Sequence, residues 1–191
     1  MLERFTEGAT STISLASESA RQLGALELSS RHLLLGVLRL QRDAANVLTE
    51  HGLTEQALTA LVRDYTSDET LPGMTAADAD ALRRFGIDLS EVAAAVRQNF
   101  EGTPPSRRPR RRRLLDRFRG DAISFSDEAK RALENSLVVT VRVNHREITD
   151  LHILAGLLEP GQRECPDLLR SSGLDPATIL NAVEIRLRGA A

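Results

Sequence analysis

A chain of 191 residues with 41% apolar side chains can bury a real core, but with 3% aromatics, no Trp and a single Tyr (Tyr65) that core is aliphatic, and its Ala-, Leu-, Glu- and Arg-rich mixture favours helix over sheet. One cysteine, Cys165, excludes an internal disulfide framework, no apolar run approaches a bilayer span, and the opening MLERFTEGAT has no signal-peptide core, so a cytoplasmic protein is expected. The net charge of −2 is a balance of opposites: eight Arg and one Asp lie between Arg107 and Arg119, leaving 17 basic and 26 acidic residues elsewhere, an acidic body with one strongly basic segment.

In chain order, Thr6 is placed to cap a first helix, with Glu7 at its positive start and Ala9, Ile13, Ala16 and Ala20 at helical spacing. Ser29 caps a second helix over 33–40. A third ends at Gly52, where glycine accepts the left-handed conformation of a helix stop most cheaply, and a fourth starts after Thr54. Residues 65–73 read as a short flexible loop. Leu82, Gly86, Ile87, Val92 and Val96 then repeat the Leu-x-x-x-Gly-Leu pattern of Leu48 to Leu53, followed by Leu58 and Val62.

From Glu101 to Gly120 the chain reads EGTPPSRRPRRRRLLDRFRG, whose prolines and dense like charge predict an extended or disordered linker. Beyond it the first part of the chain returns. Phe5-Thr6 matches Phe125-Ser126, and Ala9, Leu28, His32, Leu34, Gly36 and Leu38 match Ala129, Ile148, His152, Leu154, Gly156 and Leu158, all at one offset of 120 residues. One inserted residue later, Leu169, Gly173, Leu174, Ile179 and Val183 match Leu48, Gly52, Leu53, Leu58 and Val62. Thr149 therefore caps a helix over 153–158, and Pro176 takes the first position of the last helix, where its missing N–H is harmless. Residues 138–143, VVTVRV, look like a strand by residue type. Their counterpart, 18–23, reads as helix, so helix end plus loop is expected. The organisation is a first repeat (1–64), an inserted half-repeat (65–100), the linker (101–120) and a second repeat (121–191).

The stretches MLERFTEGA, SSRHLLLGVL and VLTEHGL, with their second copies FSDEAKRAL and ITDLHILAGLL, resemble the N-terminal Clp-repeat domain of Clp-type AAA+ unfoldases. The resemblance covers about residues 1–64 and 121–188. It implies an all-α double repeat of short helices with pseudo-twofold symmetry, carrying here an inserted half-repeat and an Arg-rich linker. It also implies a function: receiving substrate and adaptor proteins or peptide ligands for a Clp ATPase, as adaptor, decoy or regulator, and not an enzyme itself. No G-x-x-x-x-G-K-[ST] phosphate loop occurs, so the chain reads as the cap of an unfoldase without its engine. No cofactor or metal is expected.

In the family the residue after the capping Thr is usually Glu, which in some members is thought to hold the guanidinium of phosphorylated arginine. The matching positions here are Arg31 and Leu151. A guanidinium would meet repulsion at the first and no partner at the second, so phosphoarginine recognition is expected to be lost or altered. The family surface taken by cyclic-peptide antibiotics in some members corresponds to Leu2, Phe5 and Phe125, although Phe5 and Phe125 also suit plain core anchors. Arg31 and Leu151 complete the candidate protein- or peptide-binding set. Arg107, Arg108, Arg110, Arg111, Arg112 and Arg113 form a candidate polyanion-binding run, the basis of an alternative reading as a nucleic-acid-associated protein. His32 and His152 lack companions at metal-ligand spacing and read as structural helix-start residues. Cys165 lacks the context of a nucleophile and reads as a structural or surface thiol.

Overall fold

Each helix begins where a side chain can satisfy backbone N–H groups that have no partner within the helix. A computed structural model describes residues 4–25, 27–67, 84 and 123–189. Leu2, the insert around Gly86 and the arginine run lie outside these residues. By compactness the chain divides into one unit of residues 1–63 with 114–191 and another of 64–113.

The helix α1 (Glu7–Gln22) is capped by the Thr6 hydroxyl, which accepts from Ala9 N–H, and α5 (Asp127–Arg142) by the Ser126 hydroxyl, which accepts from Ala129 N–H. Between and after them run β1 (Glu27–Leu28), α2 (Ser30–Leu40), α3 (Asp43–Glu50), α4 (Glu55–Ser67), β2 (Ser124–Phe125), α6 (Asp150–Leu158), α7 (Glu164–Ser171) and α8 (Pro176–Gly189). Thr54 and Asp175 cap α4 and α8, accepting from Ala57 N–H and from Ala177 and Thr178 N–H. Among the described residues the fold is all-α apart from a two-residue parallel pairing of β1 with β2 and an isolated parallel bridge between Phe5 and Ile148.

The repeat is visible in the hydrogen bonds. At the end of α3, Gly52 has φ +92° and Leu53 N–H returns 3.0 Å to Leu48 C=O; at the end of α7, Gly173 has φ +78° and Leu174 N–H returns 2.9 Å to Leu169 C=O. These are the same six-to-one closure, and each requires the left-handed residue that the sequence supplies as glycine. After α1 and α5 the same closure occurs, with Gly24 in one copy and Asn144, at φ +58°, in the other.

The two repeats are tied reciprocally. Thr6 N–H donates to Ile148 C=O and Ser126 N–H to Leu28 C=O, each at 3.0 Å and exactly one repeat apart. Each copy thus starts by pairing with the turn before the second helix of the other. The buried core of the two includes Leu28, Leu33, Leu34, Leu35, Leu48, Ile148, Ile153, Leu154, Leu157 and Leu168, none more than 2% exposed. Each such side chain contributes about 1.5–3 kcal/mol of transfer free energy.

Within each repeat the first two helices approach as closely as helices can. A Cβ at Gly36 would sit 2.4 Å from Thr12 C=O, and one at Gly156 would sit 2.4 Å from Ala132 C=O. Thr12 and Ala132 are again equivalent positions, so glycine in mid-helix marks backbone-to-backbone contact in both copies.

Two local expectations change. Residues 65–67 belong to α4 rather than to a loop, because nothing in the sequence interrupts the helix before Pro72. The β-branched run 138–143 is helical to Arg142, with Val143 as its cap. Val139 and Thr140 face the core at helical spacing, and that burial outweighs the strand preference of Val and Thr.

A candidate protein interface at the repeat junction

The start of α2 meets the start of α7, and the start of α3 meets the start of α6, and in each pair a carboxylate of the second repeat answers a backbone N–H of the first. Glu164, at the start of α7, accepts from Ser30 N–H at 3.1 Å and from the Ser30 hydroxyl at 2.6 Å. In the same direction, from second repeat to first, Asp150 at the start of α6 accepts from Ala44 N–H at 3.0 Å, at the start of α3. A carboxylate at a helix start is favoured by the dipole as well as by the bond. Glu128 on α5 accepts from both Arg163 and Glu164 N–H, capping α7 from within its own repeat. The buried Cys165 thiol donates to Ser30 C=O at 3.2 Å. Burial pushes this thiol far above the ordinary cysteine range, so it is a protonated packing residue and not a nucleophile.

His32 and His152 sit at the third position of their helices and reach back. Each Nδ1 accepts the N–H of the capping residue, Ser29 or Thr149, at 3.1 Å. An Nδ1 that accepts is unprotonated, so both rings carry their proton on Nε2. In the second repeat that proton goes to His145 Nδ1, 3.1 Å away, the two rings meeting edge-on at 5.1 Å and 75°. The position of His145 is Ala25 in the first repeat, and His32 Nε2 is accordingly buried without a hydrogen-bond partner. Burial, aided by the charge of Arg31, lowers His32 to about 4; burial, then His145, lowers His152 to about 4. Both are neutral structural residues near neutral pH.

Of the candidate binding residues, Arg31 is half-buried at the start of α2 and Phe5 is half-buried, its backbone bridged to Ile148. Leu151, 6% exposed, and Phe125, 9% exposed, are packed inside, so in this conformation they present almost no side-chain surface. Arg31 and Leu151 occupy equivalent positions but different environments. Leu2 and Arg107 to Arg113 fall outside the described residues.

Three features were not anticipated: the His145–His152 pair, the capping of first-repeat helices by Asp150 and Glu164 of the second, and, among the described residues, the exposed aliphatic side chains Val138, Val141 and Ile185. The first and third are legible once the copies are aligned, since His145 replaces Ala25 and the aliphatics replace charged residues. The capping is not, because it depends on which helix starts face one another. Among the described residues no group of three or more His, Cys, Asp or Glu could hold a metal, and no helix is long and apolar enough to cross a membrane.

No protein-family model matches the chain. The chain is 31% identical over 192 residues to the chloroplastic chaperone protein ClpC2 of Oryza sativa subsp. japonica, covering 99% of this chain and 16% of that protein. To the chloroplastic ClpC1 of Arabidopsis thaliana it is 30% identical, covering 99% and 15%. It thus spans about a sixth of the length of these relatives. Among solved structures, the N-terminal domain of Hsp104 from Candida albicans superposes with a TM-score of 0.58 at 19% identity, over 98% of this chain and 93% of that one. The N-terminal domain of ClpD from Arabidopsis thaliana superposes with a TM-score of 0.54 at 19% identity, over 98% and 97%.

Proposed function

From the premise that this chain belongs to the Clp chaperone N-terminal domain family, we propose that it is a non-catalytic protein-binding module of the Clp chaperone and protease system. Its ligands on this reading are adaptor proteins, substrate proteins or peptide segments, and its role is that of adaptor, decoy or regulator, acting in the cytoplasm. The observation that carries the reading is the similarity to Clp chaperones along 99% of the chain. It is supported by the chemistry of the junction, where every titratable group described is engaged structurally or held neutral.

The test is an affinity pull-down of the tagged chain from lysate of its own cells, at low and high salt, with a nuclease-treated arm. Recovery of a Clp unfoldase, its adaptors or its substrates, insensitive to nuclease, is the expected result. A second reading rests on six arginines within residues 107–113, which suit weak, salt-sensitive binding of nucleic acid. Recovery of nucleic acid alone, lost in high salt and on deletion of those residues, would replace the first reading with this one.

Specificity within the family reading follows from charge. Arg31 stands where an acid would hold a guanidinium, and Leu151, buried and apolar, offers none. Calorimetric titration with free phosphoarginine is expected to give no measurable heat. Micromolar affinity would show that the ligand is held by other groups.

A further inference from the structure

The two ties between the repeats share a backbone geometry but not a chemistry. In one, Ser126 N–H donates to Leu28 C=O, and the turn leading to Leu28 carries Ala25, buried at 7% exposure. In the other, Ile148 C=O accepts from Thr6 N–H at 3.0 Å and from the Thr6 hydroxyl at 3.1 Å, and Ile148 N–H donates to Arg4 C=O. The turn leading to Ile148 carries His145 at the position of Ala25. Three hydrogen bonds thus hold residues 4–6, the approach to α1, against a turn that contains a titratable side chain.

Stability does not explain this histidine. Alanine fills its place in the first repeat, and the His145 ring leaves its own Nε2 buried without a hydrogen-bond partner, which is a cost. What the ring supplies is an acceptor, Nδ1, for the Nε2–H of His152 at 3.1 Å. The pair cannot adjust by exchanging protons. Thr149 N–H donates to His152 Nδ1, and a backbone N–H can only donate, so the His152 proton stays on Nε2, aimed at His145. A proton added to His145 goes to Nδ1, because Nε2 already carries one. Two N–H groups then face each other across 3.1 Å, where the new cation has no acceptor at either nitrogen.

The charged groups around the pair supply none. Arg142 at the end of α5 is held by Glu159, just past α6, and Glu184 and Arg188 of α8 hold each other. Asp150 at the start of α6 caps α3, and Arg4, Arg146 and Glu147 are exposed. His152 itself, lowered to about 4 by burial and then by His145, stays neutral in mild acid. Imidazole is the side chain whose charge ordinarily changes between neutral and mildly acid pH.

We propose that the His145–His152 pair is an acid-sensitive latch on one side of the double repeat: when His145 gains a proton, the turn 145–149 leaves its seat and releases residues 4–6, while the tie of Ser126 to Leu28 holds. The latch is independent of what the domain binds.

Amide hydrogen exchange followed by NMR on the full chain, at about pH 7 and about pH 5.5, reads both ties in one sample. The ratio of the Thr6 to the Ser126 protection factor cancels any loss of stability common to the whole fold. In the wild type this ratio is expected to fall about tenfold on acidification, the order of one buried hydrogen bond lost. In H145A, which installs the residue that the first repeat carries, it is expected to stay constant. Should H145A not melt cooperatively, H145N, which keeps a polar side chain but does not titrate, is read in the same way. A wild-type ratio indifferent to pH overturns the latch, and so does a fall that persists in the variants. Either result leaves the protein-binding reading intact.

Discussion

Replacing Gly156 with Ala is expected to destabilise the domain by about 3 kcal/mol, read as a lower urea midpoint at unchanged slope, and Gly36→Ala by a similar amount. Helix propensity alone predicts the opposite, a gain of about 1 kcal/mol. The contact decides the sign. A Cβ at either position would lie 2.4 Å from a carbonyl oxygen of the neighbouring helix, with a backbone nitrogen of that helix at 2.9 Å (Ala16, from Gly36) or 2.7 Å (Ser136, from Gly156). Backbone cannot swing aside as a side chain does, so α1 and α2, or α5 and α6, must separate and lose contact along their length. Gly189→Ala is the control. Nothing lies within 4 Å of its Cβ, and its effect should stay within about 0.5 kcal/mol. Equal, small effects at all three sites would mean that the helices pack less closely than described.

Acid is expected to destabilise the fold well before the carboxylates titrate. His32 and His152 each give up an accepted backbone hydrogen bond if Nδ1 is protonated, and burial lowers both to about 4, against 6.5 unfolded. The unfolded chain therefore binds protons that the native one refuses. The stability tied to these rings is fully present above about pH 6.5 and is lost as pH falls from there toward 4. After allowance for solvent screening, the two together should remove about 2–3 kcal/mol between pH 7 and 5. Urea unfolding at pH 7, 6 and 5 measures it. Glutamine keeps an acceptor that can reach the capping N–H but does not titrate. His32→Gln and His152→Gln should each flatten the pH dependence by close to one proton. An unchanged slope in both would show that the acid sensitivity lies elsewhere.

Much of this was legible from the residues. The 120-residue repeat, the capping positions Thr6, Ser29, Ser126 and Thr149, and the helix-stopping Gly52 and Gly173 are local or translational signals. Each depends on a residue's own backbone preference or on a spacing, and neither needs a partner to be known. Gly36 and Gly156 belong with them, because a costly residue kept at the same place in two copies implies close contact. The same comparison rejected the strand that residue type suggests for 138–143, although the helix runs on to Arg142 where helix end plus loop is expected.

The candidate site was less legible. Phe125 and Leu151 match positions of a surface and proved nearly buried, since the pattern places a residue on an element but not on its exposed side. The swap by which Thr6 pairs with Ile148 and Ser126 with Leu28, and the carboxylates of Asp150 and Glu164 that cap helices of the opposite repeat, join residues more than 90 positions apart. Sequence alone determined that there are two like copies, where their helices begin and stop, and that their shared core is aliphatic. Only the tertiary structure decided how the copies interlock and which side chains remain in water. Both depend on helix ends and faces meeting across the chain, a matter of geometry that no local preference encodes.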